Sequence, residues 1–198
     1  MVRMGSDKPQ RDEKMSCAQH ALLVRAFTDA GLALGDISLL SRAEKLLKWM
    51  ESAFLLPDGY VSSLLYPDQS NSSFGFLEDY TYWIEAILSF GAISEAFNLG
   101  KLKDWLEKAE ILMHQTVGLF KDPNLPGYFS SSEEMENPGP IRKKSWYDHA
   151  MPSGNSSLLR CFSILGEIGS DSAKWCSEYQ EALGGYPKLI KQSPDGIG

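Results

Sequence analysis

The stretch Leu56-Pro57-Asp58-Gly59-Tyr60-Val61-Ser62-Ser63 recurs as Leu125-Pro126-Gly127-Tyr128-Phe129-Ser130-Ser131, each time just after the second of two segments with helical periodicity. From Gly59 to Gly127 the spacing is 68 residues, which accommodates one helical hairpin and one long loop. Hairpins repeated at a fixed spacing predict an array, closed or open, rather than a compact bundle. Pro-Gly-aromatic loops are also ordinary turn chemistry, so coincidence is the competing reading.

Outward from these two loops the apolar periodicity is helical throughout. Leu22, Leu23, Ala26, Phe27, Ala30 and Leu34 form one stripe of a first helix that ends near Gly35, and Asp36 can cap a second helix carrying Leu39, Leu40, Ala43, Leu46, Leu47, Met50 and Phe54. A third helix is predicted from about Leu77 to Phe97. It is apolar on more than one side through Trp83, Phe90 and Ile93, as a buried helix would be. A fourth runs from about Leu102 to Phe120, a fifth from about Ser153 to Ile168, and a sixth follows Asp171 and ends at Gly184 and Gly185. The fold class expected is all-α, with six helices and two long loops, Pro57 to Ser73 and Lys121 to Pro152, on one end. Residues 15–186 are expected to form the domain, residues 1–14 a flexible segment and residues 187–198 a tail.

The 198 residues are 43% hydrophobic and 23% charged, which is enough to bury a core. Nineteen basic against 26 acidic side chains give a net charge of −7, the wrong footprint for a phosphate backbone, so nucleic acid is not an expected partner. No apolar run approaches the ~20 residues that span a bilayer, and no signal-peptide core is present, so no membrane partner and a cytoplasmic address are expected. Cys17, Cys161 and Cys176 lack CxxC spacing and are read as buried free thiols. Three scattered histidines without HExxH spacing predict no metal, and no P-loop, GxGxxG or GxSxG occurs, so no cofactor is expected.

Because short and long loops alternate, the N-termini of helices three and five fall on the same end as both long loops. Two polar clusters occupy them: Gly75-Phe76-Leu77-Glu78-Asp79-Tyr80 and Tyr147-Asp148-His149-Ala150-Met151-Pro152-Ser153-Gly154-Asn155-Ser156. Each residue has a plain structural reading. Glu78 and Asp79 suit the helix dipole, Asp148 a loop turn, Ser153 an N-cap, and Trp83 the core. Their convergence with Tyr82 on one end predicts instead a concave polar pocket. Paired carboxylates suit sugar acid–base chemistry, since one can hold a proton while the other stays ionised. Glu78, Asp79, Asp148 and His149 are the candidate catalytic residues, and Tyr80, Trp83, Ser153 and Asn155 the candidate substrate-binding ones.

The two blocks, together with Lys8-Pro9-Gln10-Arg11-Asp12-Glu13-Lys14 before the first helix, resemble in order and spacing the C-terminal region of the YyaL and spermatogenesis-associated thioredoxin-like family. The resemblance runs from about Lys8 to Tyr186. It implies an α/α toroid similar to six-hairpin glycosidases and N-acylglucosamine 2-epimerases, and hence a carbohydrate ligand. No thioredoxin-like domain or CxxC accompanies it, and the helix start reads Ser16-Cys17-Ala18-Gln19-His20 where the family has a Ser-Trp-Asn-Gly-like run. Six helices are half of the twelve in a complete toroid, so the resemblance implies a partial (α/α)6 toroid, as a fragment, truncated isoform or degenerate member. The alternative from a different class is a non-catalytic interaction or scaffold module that meets a protein partner at its uncovered hairpin flanks.

Overall fold

The computed structural model describes residues 11–68, 70–71, 74–135, 141–186 and 191. The expected N-terminal segment and tail therefore lie largely outside the described residues, as do Lys8, Pro9 and Gln10. Among the described residues these helices follow one another: α1 (Cys17–Leu34), α2 (Ile37–Phe54), α3 (Leu77–Ser94, extended by a 3-10 turn at Glu95–Phe97), α4 (Leu102–Phe120), α5 (Gly154–Ile168) and α6 (Ser172–Leu183). A two-stranded antiparallel pair, β1 (Met15–Ser16) with β2 (Leu64–Leu65), sets Met15 opposite Leu65 and Ser16 opposite Leu64.

The punctuation acts as its chemistry dictates. Gly35 ends α1 at φ 65°, a left-handed conformation that a Cβ disfavours, and the Asp36 side chain accepts the Ser38 N–H to start α2. Asp171 caps α6 by accepting the Lys174 N–H. The 3-10 turn after α3 ends at Asn98, whose φ of 56° places it in the left-handed region.

Helices α1 and α2, α3 and α4, and α5 and α6 pack as hairpins, while α1, α3 and α5 also pack side by side. The result is an inner row, α1–α3–α5, backed by an outer row, α2–α4–α6. Helix α3 occupies the centre: all but four of its 18 residues are buried. Its mixed apolar faces follow from having an inner neighbour on each side and an outer helix behind. A single core runs through all three hairpins, from Cys17 and Ala21 through Tyr80, Trp83 and Ile84 to Phe162 and Trp175. Two of the three cysteines, Cys17 and Cys161, are buried free thiols as expected. Cys176 is exposed, at the open edge of the α5–α6 contact where its Sγ donates to the Gly166 carbonyl.

The two copies of the repeated stretch form similar turns, with pairings offset by one residue. Gly59 and Gly127 adopt φ of 89° and 93°. Leu55 bridges to Val61 in the first copy and Lys121 to Tyr128 in the second. Each loop then returns to the inner helix of its own hairpin: the Cys17 N–H donates to the Ser63 carbonyl (2.9 Å) and the Leu77 N–H to the Ser130 carbonyl (3.0 Å). All three inner helices consequently start at the same end.

Candidate functional site

The first turn of α3 is wedged between the starts of its two neighbours, and consecutive acids serve opposite sides. The Asp79 carboxylate accepts the Phe76 N–H through Oδ2 (2.8 Å) and the Ala18 N–H of α1 through Oδ1 (3.1 Å). Glu78 turns the other way, its Oε1 lying beside Gly154, the first residue of α5. Gly154 permits that approach, since a Cβ there would stand 2.9 Å from Leu77 Cγ and Cδ2 and 3.1 Å from Glu78 Oε1.

Above these helix starts lies a cavity of about 390 Å³ lined by Phe76, Glu78, Asp79, Tyr82, His149 and Ser153, together with segments of both long loops. Burial raises the Glu78 pKa, with the Asp79 charge adding to it, while the N–H groups of Glu78 itself and Gly154 pull the other way. Burial also raises the Asp79 pKa, opposed by the N–H groups of Phe76 and Ala18. The Tyr82 hydroxyl donates to the Pro152 carbonyl, tying α3 to the loop before α5, and burial holds its pKa well above the ordinary value.

The other predicted residues are distributed unequally. Ser153 lines the cavity while capping α5: its Oγ accepts the Ser156 N–H at 3.1 Å. The side chain of His149 is exposed at the rim, and its backbone N–H donates to the Met151 carbonyl. Asp148 is not among the lining residues; its Oδ1 accepts the Ser153 N–H at 2.6 Å. Asn155 is buried and used up in holding the second long loop, accepting the Tyr128 N–H and donating to the carbonyls of Tyr128 and Ser145. Tyr80 is fully buried with its hydroxyl accepting the Val61 N–H at 2.9 Å, and Trp83 is buried facing the outer helices. Neither ring can offer a stacking face to this cavity.

Apolar faces come instead from Phe76 and Met151, 44% and 43% exposed at the rim. Phe76 stands one residue before α3, where periodicity assigns it neither to the helix nor to a core. Its signal in the sequence was its position beside Glu78 alone. Among the described residues no group of three or more His, Cys, Asp or Glu is placed to hold a metal ion, and no helix is long and apolar enough to cross a membrane.

Further down the inner row, Glu85 lies two turns below Glu78 on the same face of α3. It is 5% exposed and pairs with Arg25 of α1 and with Arg160 of α5, the latter at 3.1 Å. One carboxylate thus links all three inner helices.

No protein-family model matches the chain. It is 33% identical over 177 residues to spermatogenesis-associated protein 20 of Mus musculus and 30% identical to that of Homo sapiens, covering 83% of this chain. The chain spans 22% of the length of these relatives. Among solved structures it superposes on a GH76 α-mannanase of Bacteroides thetaiotaomicron with a TM-score of 0.68 at 12% identity, covering 92% of this chain and 47% of that one. For cellobiose 2-epimerase of Spirochaeta thermophila the TM-score is 0.66 at 13% identity, with coverages of 93% and 45%. A D-mannose isomerase gives 0.61 at 15% identity, with coverages of 89% and 44%. At these identities the structures establish the fold: helical hairpins of an α/α toroid.

Proposed function

The chain belongs, over the segment they share, to the family of spermatogenesis-associated protein 20, and from that premise we propose that the cavity at the starts of α1, α3 and α5 is a carbohydrate-binding cleft. The observation that carries this reading is Glu78. It is a half-buried carboxylate lining a mainly apolar cavity, not the polar pocket expected from the sequence, with a pKa raised chiefly by burial, and its neighbours are an exposed imidazole and an apolar rim. A carboxyl group in that setting can accept or donate hydrogen bonds to sugar hydroxyls, and Phe76 can receive the apolar face of a pyranose. Toroid neighbours whose names are those of sugar enzymes lend support by analogy of fold alone.

The roles narrow accordingly. Glu78 and His149 are the groups proposed to meet the ligand, with Ser153 beside them and Phe76 and Met151 as the apolar rim. Asp79, Asp148 and Asn155 are proposed to position the helix starts and loops around them. If turnover accompanies binding, Glu78 is the group able to exchange a proton.

The test is a thermal-shift titration of the chain with mannose, glucose, cellobiose and glucuronate, repeated on Glu78→Gln and Phe76→Ala. A ligand that binds the folded state raises the melting temperature by mass action. The expected result is a concentration-dependent rise with at least one sugar that is reduced in both variants. No rise with any of the four, or an equal rise in both variants, overturns the reading.

A further inference from the structure

The outer helices α2 and α4 do not pack on one another as the inner helices do, because the outer row lies at the larger radius of a curved array and its members are spread apart. Between them opens a groove of about 320 Å³, floored by Trp83 and Ile87 of α3 and walled by Leu55 and Leu112. It shares no lining residue with the cavity at the helix starts.

The corresponding gap one hairpin further on is filled. There Trp175 of α6 lies on Phe162 of α5, with ring centroids 6.1 Å apart, and its indole N–H donates to Glu110 of α4 at 3.0 Å. Lys121, just past the end of α4, pairs with Glu178 and Glu181 of α6. In the first gap the indole belongs to the floor helix instead, and the α2 wall offers only Glu51 and Leu55.

Two features define what this groove can take. The first is a pair of polar atoms: the Trp83 Nε1 donor and the Gln115 Oε1 acceptor, both on lining residues, are buried without a hydrogen-bond partner among the described residues. Buried donors and acceptors left unpaired are costly, and the indole of Trp175 in the filled gap shows the ordinary arrangement. The second feature is length. At one end Lys108 of α4 pairs with Glu51 of α2, and at the other the Gln115 amide N–H donates to the Gly59 carbonyl at 2.9 Å. Positions 108 and 115 are about two helical turns apart, so the window between these cross-links is only about 10 Å long. No helix or strand can lie along it without breaking a cross-link, whereas one ring with a polar substituent fits, and the volume is at the small end for ligand sites. Lys108 and Glu51 neutralise each other, which leaves no unpaired charge among the lining residues to meet an ion.

We propose that the α2–α4 groove is a binding site for a small, flat, uncharged molecule that carries both an acceptor and a donor, the chemistry of an aromatic amide. Its carbonyl takes the Trp83 N–H, its N–H meets Gln115 Oε1, and its ring lies over Ile87 against Leu112, with the exposed Leu55 and Ile111 at the mouth. The site lies on the outer side of α3 and does not depend on what the cleft at the helix starts binds.

The test is a titration of the whole ¹⁵N-labelled chain with benzamide, followed through the indole N–H resonance of Trp83, which is assigned by through-bond correlation in the wild type. That resonance is expected to move progressively and to saturate below about 10 mM, the affinity range of a ligand of this size. Toluene, which has the ring without the amide, and benzoate, which carries a charge, are expected to move it much less. Gln115→Met, with helix content checked by circular dichroism, is expected to weaken benzamide about fivefold or more. An unmoved Trp83 resonance overturns the proposal, as does an equal response to toluene or benzoate, or an unchanged benzamide affinity in the Met variant. If that variant loses helix content, Ile111→Trp at the exposed rim takes its place; it is expected to cover the groove and abolish the shift, and a shift that persists counts against the site.

Discussion

Asp79 Oδ1 accepts the backbone N–H of Ala18 across 61 positions of sequence, so a side chain of α3 caps α1. Its other oxygen caps α3 itself through Phe76, and the residue is 2% exposed. Asp79→Ala leaves the buried Ala18 N–H and the part-buried Phe76 N–H unpaired and is expected to cost about 1 to 3 kcal/mol. Urea denaturation followed by circular dichroism measures it; a change under about 0.5 kcal/mol would show that other groups satisfy those N–H donors.

Glu78 has a folded pKa above its unfolded one, so its contribution to stability is complete below the unfolded value, ordinarily about 4.3, and is lost as pH rises through the raised folded value. Glu78→Gln keeps the shape and an acceptor oxygen beside Gly154 and cannot ionise. The variant is expected to match the wild type near pH 4 and to exceed it in urea midpoint above that window. Parallel midpoints at every pH from 4 to 8 would contradict this.

Glu110 works in the opposite sense. Burial raises its pKa but is outweighed by hydrogen bonds from Ser170 and from the indole of Trp175, so the net shift is downward. Its stabilisation is present above the unfolded carboxyl value and disappears as pH falls through the folded one. Glu110→Gln is expected to lose roughly 1 to 3 kcal/mol at pH 7 and progressively less toward pH 3. Trp175 fluorescence reports the unfolding transition, and a loss that stays constant down to pH 3 would sink the assignment.

The two equivalent glycines should differ in what they tolerate. At Gly59 a Cβ would meet nothing closer than Gln115 Nε2 at 3.6 Å, whereas at Gly127 it would collide with the ring of Trp146. Gly59→Ala is expected to cost about 1 kcal/mol, the conformational part alone, and Gly127→Ala clearly more. Equal midpoint shifts for the two in guanidinium would mean that Trp146 moves aside freely.

Glu85→Ala removes the one carboxylate shared by Arg25 and Arg160. With Arg160 56% exposed, the loss is expected to be about 1 to 3 kcal/mol rather than the larger figure for a sealed pair, and to shrink in high salt. Melting temperatures at 0.05 and 1 M sodium chloride test this, with an undiminished loss at 1 M pointing to packing rather than charge.

The helices were legible because apolar spacing and caps are local. Leu102 and Phe120 bound α4 as periodicity predicts, and Gly35, Asp36 and Asp171 stand where helix starts and stops require them. The site was legible as a place more than as a set of side chains. Alternating loop lengths locate the end, but which way a residue faces depends on neighbours far along the chain. Tyr80 and Trp83 point into the core because α4 packs behind α3, and Asn155 is drawn to Tyr128 by a loop 27 residues upstream. Phe76 went unrecognised for the same reason, being defined by the opening above it.

The return of each long loop to the helix that opened its own hairpin also bears on how the chain acquires its structure. Cys17 is closed by Ser63 and Leu77 by Ser130, so each unit completes its own cap before the next is needed. Cooperative units of this kind can condense one at a time as they leave the ribosome, with each such search confined to a single unit. The Asp79 cap on α1 and the Glu85 pairing with Arg25 cross between units and tie the first unit's final stability to the arrival of the second.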